Sequence, residues 1–321
     1  MKITDDIVDV ADCDIIFLSF DEPQKEEFWL KIKEFVPWAK RIDNVKGSDA
    51  AHKAAANASE TERFFLIDGD NLPNENFFDI QLDFRNCDPS MKLSQFRWKA
   101  LNAINGLRYG NGGISSWTRE YVLNMRTHEN QNENDPSRIV DFSMSGNDNL
   151  YHAMWDVYST TYPNGSPFQA WRAGFREGVK MCLNRGLKPT IDEFKESVAS
   201  RNLDNLSVWH NIGKDAENGI WAIFGARLGT YMTMLTDWDY REVQWFDNLA
   251  DIWKSYQYDT SLEAFDFAHA YGDSLSTKLG LPMCIFDEEE SKFFKSQYAK
   301  DRYNIGPLVT EMEIIRKIQG W

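Results

Sequence analysis

The chain has 321 residues, 42% hydrophobic and 26% charged, the composition of a globular protein with core enough for one large domain or two modest ones. A net charge of −15 weighs against a nucleic-acid coat or an anionic membrane surface as partner and suits binding of a divalent cation. No apolar run approaches the ~20 residues of a membrane span, and Met1 to Asp6 lacks the apolar centre of a signal peptide, so a cytoplasmic protein without a membrane partner is expected.

Asp14 to Phe20 reads as a buried strand, ended by Asp21-Glu22-Pro23. Gln24 to Phe35 carries Phe28, Trp29, Ile32 and Phe35 at helical spacing, and Ala39 to Val45 is a short strand. Lys46-Gly47-Ser48-Asp49 offers a turn and a cap for an alanine-rich helix over 50–59. Phe64-Phe65-Leu66-Ile67 is a second buried strand, running into Asp68-Gly69-Asp70-Asn71. Strand, helix, strand, helix, strand within seventy residues is the pattern of a doubly wound α/β sheet.

Phe77 to Phe84 alternates like an edge strand, and Ser94 to Asn105 reads as a helix with a basic face. Gly110-Asn111-Gly112-Gly113 reads as a hinge-like loop before a strand over 114–117, and Thr118-Arg119-Glu120 starts a short helix. Residues 127–138 are polar and loop-like. After about Asp148 the pattern is mainly helical, with helices expected over 167–184, 189–200, 221–235, 246–256, 262–271 and 308–318. The division expected is therefore a nucleotide-binding domain over 1–148 and a helical region over 149–321. That second half holds eight of the twelve tryptophans; most are core, and one or two can stack a sugar or a base. The cysteines Cys13, Cys87, Cys182 and Cys284 are far apart, as free thiols are.

The chemistry centres on Asp68 and Asp70. On an extended strand positions i and i+2 share a face, so both carboxylates aim at one point beyond the carboxyl end of a buried strand, where open α/β sheets bind ligands. The bland alternative is a turn, since Asp, Gly and Asn all favour one. What precedes the pair adds weight. Gly47, Ala51, Asp68 and Asp70 fall in register with a pattern of the family-2-type GT-A glycosyltransferases, G-x-x-x-A-R-N-x-G-x-x-x-A-x-G-x-x-x-x-x-x-D-x-D-D. His52-Lys53 stands where that pattern has Arg-Asn, Thr61 where it has glycine, and Asn71 in place of the last aspartate. Gly112-Gly113 leading to Arg119 resembles the acceptor-side segment of the same fold. The whole chain resembles phage-encoded glycosyltransferases, some of which act on hydroxymethylated bases of phage DNA. That likeness implies the host cytoplasm as the compartment.

The resemblance implies a GT-A fold, Mn²⁺ or Mg²⁺, and a nucleotide-sugar donor, a UDP-sugar first among them. It makes Asp68 and Asp70 the metal-side carboxylates, with a third ligand from downstream. His128, His152 and His210 are candidates, and His210 is carried forward. Phe20 and Asp21 fall where the nucleobase and ribose are held, and Lys46, Gly47 and Lys53 flank a helix start that favours phosphate. Arg172, Arg176 and Lys180, spaced i, i+4, i+8, form a basic stripe for a diphosphate; the plainer reading is a solvated face. Between Met91 and Arg126 lie Lys92, Arg97, Lys99, Arg108, Arg119 and Arg126 against Glu120 alone, a local patch for a DNA acceptor. An inverting reaction needs a carboxylate base, for which Asp141 is the candidate, with Glu129, Asp135 and Asp148 as alternatives. A protein, lipopolysaccharide or small-molecule acceptor is the runner-up. A nucleotidyltransferase or haloacid-type phosphatase fits the strand order poorly. A non-catalytic binding or phage structural protein is the rival from another class.

Overall fold

The structure, a computed structural model, describes residues 5–127, 151–256 and 260–301. They form an α/β unit (5–102, 108–127 and 151–162) and a helical unit (103–107, 163–256 and 260–301).

The α/β unit begins with β1 (Ile7–Asp9) and continues through β2 (Asp14–Ser19), α1 (Lys25–Phe35), β3 (Lys40–Asp43), α2 (Ser48–Ala58) and β4 (Arg63–Asp68). The three strands β3, β2 and β4 are parallel and adjacent in that order. Their apolar runs are continuous because both faces are covered. Ile15, Phe17, Phe65 and Ile67 pack with Phe28 and Ile32 of α1, while Ile16, Phe64 and Leu66 pack with Ala55 and Ala56 of α2 on the opposite face. Each fully buried side chain of this size contributes roughly 1.5–3 kcal/mol relative to exposure.

The chain then runs through β5 (Asn71–Pro73), β6 (Gln81–Asp83), β7 (Gln95–Asn102), β8 (Arg108–Thr118), α3 (Arg119–Asn124) and β9 (Tyr151–Thr161). The main sheet has the order β3-β2-β4-β8-β7-β9-β5, and it is mixed: β4–β8, β8–β7 and β9–β5 are antiparallel, β7–β9 parallel. Several expectations change here. Within the stretch 94–105 residues Gln95–Asn102 form a strand and not a helix, because Phe96, Trp98 and Ala100 bury at period two. Gly110-Asn111-Gly112-Gly113 lies inside β8, not in a loop. The stretch 77–84 splits into a 3₁₀ turn over Glu75–Asp79 and β6, which pairs with β1 in a separate two-stranded sheet. Strand β9 belongs to the α/β unit, so a boundary at 148/149 cuts off one of its seven main strands.

In the helical unit, α4 (Pro167–Met181) is followed by a single turn, α5 (Phe194–Ser197), where a longer helix over 189–200 was expected. Then come α6 (Ser200–Asn211), α7 (Gly219–Leu235), α8 (Phe246–Tyr256), α9 (Ser261–Leu279) and α10 (Glu288–Asp301). Helices α6 and α10 were not anticipated, and the helix expected over 308–318 lies outside the described residues. Glycines let α4 and α7 meet backbone to backbone. A Cβ on Gly174 or Gly178 would collide with the carbonyl oxygen of Ala222 or Ala226, and one on Gly225 or Gly229 with that of Trp171 or Phe175. Arg227 of α7 is buried and spends its donors on His210 O, Ala268 O and Asn211 Oδ1. Among the described residues no helix is long and apolar enough to cross a membrane, and all four cysteines are free.

Candidate functional site

Strand β2 lies between β3 and β4. The chain therefore leaves β2 toward β3 through α1 on one face, then crosses back through α2 on the other to reach β4. The direction of winding reverses between β2 and β4, and a crevice opens beyond their carboxyl ends at such a point. Phe20-Asp21-Glu22 emerges there from β2, and Gly69-Asp70 from β4.

The crevice is lined by carboxylates. Burial, followed by the charge of Asp70, pushes the Asp68 carboxyl up to about 7; Glu22 adds to the effect and Arg97 opposes it. Asp68 Oδ2 accepts the backbone N–H of Gly113 at 3.2 Å. Burial and then the charges of Asp70 and Asp21 also raise Glu22, whose Oε2 accepts the N–H of Phe20 at 2.7 Å. Glu22 lies against Gly69, where a Cβ would meet its Oε2, so a larger residue between the two aspartates would have to displace the Glu22 carboxylate. Asn71 is buried; its Nδ2 donates to Asp70 Oδ1 at 2.8 Å, and its Oδ1 accepts from Ser159 Oγ at 3.2 Å. Arg97 is buried with its guanidinium 4.9 Å from the Trp117 ring centroid.

Phe20, Asp21, Lys46, Gly47, Asp68 and Asp70 all follow or end the three parallel strands, so the fold brings them to one edge of the sheet. Phe20 is 42% exposed, and Gly47 caps α2 at φ +92° without a side-chain cap. The two aspartates do not sit on one extended strand, as the sequence suggested: β4 ends at Asp68, and Asp70 lies in the turn to β5. Lys53 is paired with Asp49 at 2.7 Å in a half-buried contact along α2. The basic run 92–126 is not one patch. Lys92 pairs with Asp6 at 2.7 Å, Arg97 is buried, and Arg119 Nε donates to Ala56 O at 2.9 Å.

The remaining candidates belong elsewhere. His210 lies fully buried on α6, its Nε2 3.0 Å from Thr230 Oγ1, and burial and then Arg227 push its pKa down to about 3. It is a core histidine of the helical unit, engaged there rather than presented as a ligand. His152 stacks on Phe96 and meets Ser94 Oγ at 3.1 Å. Arg172 and Arg176 of α4 both face Phe246, at 5.1 and 5.0 Å from its ring centroid, and Lys180 meets Glu177 at 3.3 Å. Asp141, His128, Glu129, Asp135 and Asp148 lie outside the described residues. Sequence reading missed Glu22, hidden as one more acid in a strand-ending turn. It also placed Arg97 on an expected helix, in a basic patch, and so missed its influence on Asp68.

Among the described residues no three His, Cys, Asp or Glu side chains are grouped as a cage for a metal. Two carboxylates this close, with the charge of Asp70 raising the proton affinity of Asp68, still fit a hard cation. Mg²⁺ is commonly held by one or two carboxylates, with water and substrate phosphates completing its shell. Comparison with models of protein families, with curated proteins and with solved structures finds no match for this chain.

Proposed function

We propose that this protein is a GT-A-type glycosyltransferase that moves a sugar from a nucleotide-sugar donor, a UDP-sugar first, to an acceptor hydroxyl. The proposed acceptor is the hydroxymethyl group of a modified base in DNA. The observation that carries the reading is the position of Asp68 and Asp70 at the winding reversal between β2 and β4, with a helix N-terminus at Gly47 on the same edge. A nucleoside fits beside Phe20 and Asp21, and its diphosphate lies toward the α2 N-terminus and Asp70. Mn²⁺ or Mg²⁺ held by Asp70 and Asp68 would supply Lewis-acid stabilisation of charge on the departing diphosphate. Asp68 is fixed by the Gly113 N–H, and Asn71 fixes Asp70, so the two carboxylates are oriented before a donor arrives. Asp141 is the proposed base for the acceptor proton.

The test is thermal shift with UDP- and GDP-sugars, each with and without Mn²⁺. Stabilisation that requires metal and disappears in Asp70→Ala supports the reading. No shift with any donor under any condition overturns it in favour of a binding or structural protein. With a competent donor, transfer to hydroxymethylated but not unmodified DNA is expected, abolished in Asp141→Asn while donor binding persists. Donor turnover without sugar on DNA moves the acceptor to protein, lipopolysaccharide or a small molecule.

A further inference from the structure

Strand β7 is flanked by irregularities on both sides at one level. On the β8 side Trp98 pairs with Ile114 but Ala100 with Tyr109, so residues 110–113 stand opposite Lys99 alone. On the β9 side Arg97 pairs with Ala153 but Lys99 with Val157, so Met154, Trp155 and Asp156 stand opposite Trp98 alone. Bulges bend a strand and re-aim its side chains, and they gather beside functional sites. Met154 and Tyr158 of β9 pack into the apolar core on the α1 face. Trp155 is turned to the opposite face and is 82% exposed, with the Lys99 ammonium 4.2 Å from its ring centroid.

That face is the one Asp68 shares. Alternation along β4 puts Asp68 on the side of Phe64 and Leu66, and along β7 it puts Lys99 on the side of Arg97, which lies over Trp117 of the same cluster. Strands β4, β8, β7 and β9 are consecutive neighbours, so Asp68 and Trp155 are three inter-strand steps apart, about 14 Å along the sheet. Gly113, whose N–H holds Asp68, belongs to the β8 bulge that faces Lys99.

The chemistry of the pair selects its occupant. An indole this exposed offers a broad flat surface to solvent. The ammonium on it draws electron density from the ring. That weakens contact with the partly positive C–H groups of a sugar and favours an electron-rich planar base. The same ammonium attracts a phosphate on the base's own strand.

We propose that Trp155, with Lys99 behind it, is the stacking platform that holds the acceptor base and sets it on the strip leading to Asp68. This rests on the DNA acceptor named above. The test is fluorescence anisotropy of a labelled single-stranded oligonucleotide at low salt, with neither donor nor metal present. Trp155→Ala is expected to weaken binding roughly 5- to 150-fold, the range for loss of one base–aromatic stack, and Trp155→Phe by less. Lys99→Met is expected to weaken binding and flatten its salt dependence. Because Trp155 is exposed, Trp155→Ala should melt with the parent, which separates lost stacking from lost folding. Three results overturn the proposal: equal affinity of Trp155→Ala and parent, no oligonucleotide binding by the parent, or Trp155-dependent binding of a neutral oligosaccharide instead. Donor binding is scored separately through Asp70→Ala. Trp155-dependent oligonucleotide binding without donor binding keeps the platform and rejects the transferase, and the reverse pattern does the opposite.

Discussion

Asn71 donates to Asp70 and accepts from Ser159 while almost wholly buried. The GT-A pattern of the proposed reading has aspartate at that position. Here a second carboxylate would lose the donor that Asp70 uses and add like charge beside it. Asn71→Asp is therefore expected to cost about 1–3 kcal/mol, the range for a buried group left unsatisfied, read from urea denaturation at neutral pH. Gly113 is held at φ +73°, and a Cβ there would run into Asn71. Gly113→Ala should cost at least about 1–3 kcal/mol from backbone strain alone, and the collision adds to it. Asp68 gives a pH signature. Its folded-state pKa of about 7 lies above the ordinary 3.8, so the folded protein keeps a proton that the unfolded chain releases. Stability falls as pH rises from about 4 to about 7. Asp68→Asn cannot ionise, so its melting temperature should gain on the parent's across that window, measured by calorimetry without metal.

At the scale of elements, the helical unit depends on the close approach of α4 and α7. Overpacking a tight contact costs typically 1–3 kcal/mol, and backbone carbonyls cannot yield as side chains do. Gly178→Ala, aimed at Ala226 O, is expected to destabilise by at least that much, while Ala at the exposed Ser276 of α9 should be nearly neutral. His210 works in the opposite sense to Asp68. Its pKa is depressed to about 3, so the stability its neutral form provides is complete above about 6.5 and is lost as pH falls toward 3. In the α/β unit, β7 shows how an element's type is decided by its neighbours. Arg97 and Lys99 suggest a charged helix face when read alone. Once β8 and β9 pair on either side, Phe96, Trp98 and Ala100 bury at period two, and the basic residues fall on the other face.

For the molecule as a whole, the apolar runs at 14–19 and 63–68, with the helices between them, were legible because each carries enough local signal to fix its own type. They also placed Asp68 and Asp70 at a strand end without any partner strand in view. Other parts depended on distant chain. Strand β9 pairs with β7 and β5, and its period is broken by the bulge that turns out Trp155. Glu22 becomes part of the crevice only because β4 lies beside β2, bringing Gly69 under its carboxyl. His210 looks like a ligand in a list of histidines, and only packing of α6 with α7 sets it in the core. The sequence alone determined the α/β character of the first half, the helical character of the second and the aspartate pair, since hydrophobic period and turn chemistry act over a few residues. Tertiary structure decided the mixed strand order, the carboxylate environment and the Lys99–Trp155 pair. Strand pairing, burial and charge at close range join residues that sequence separation keeps apart.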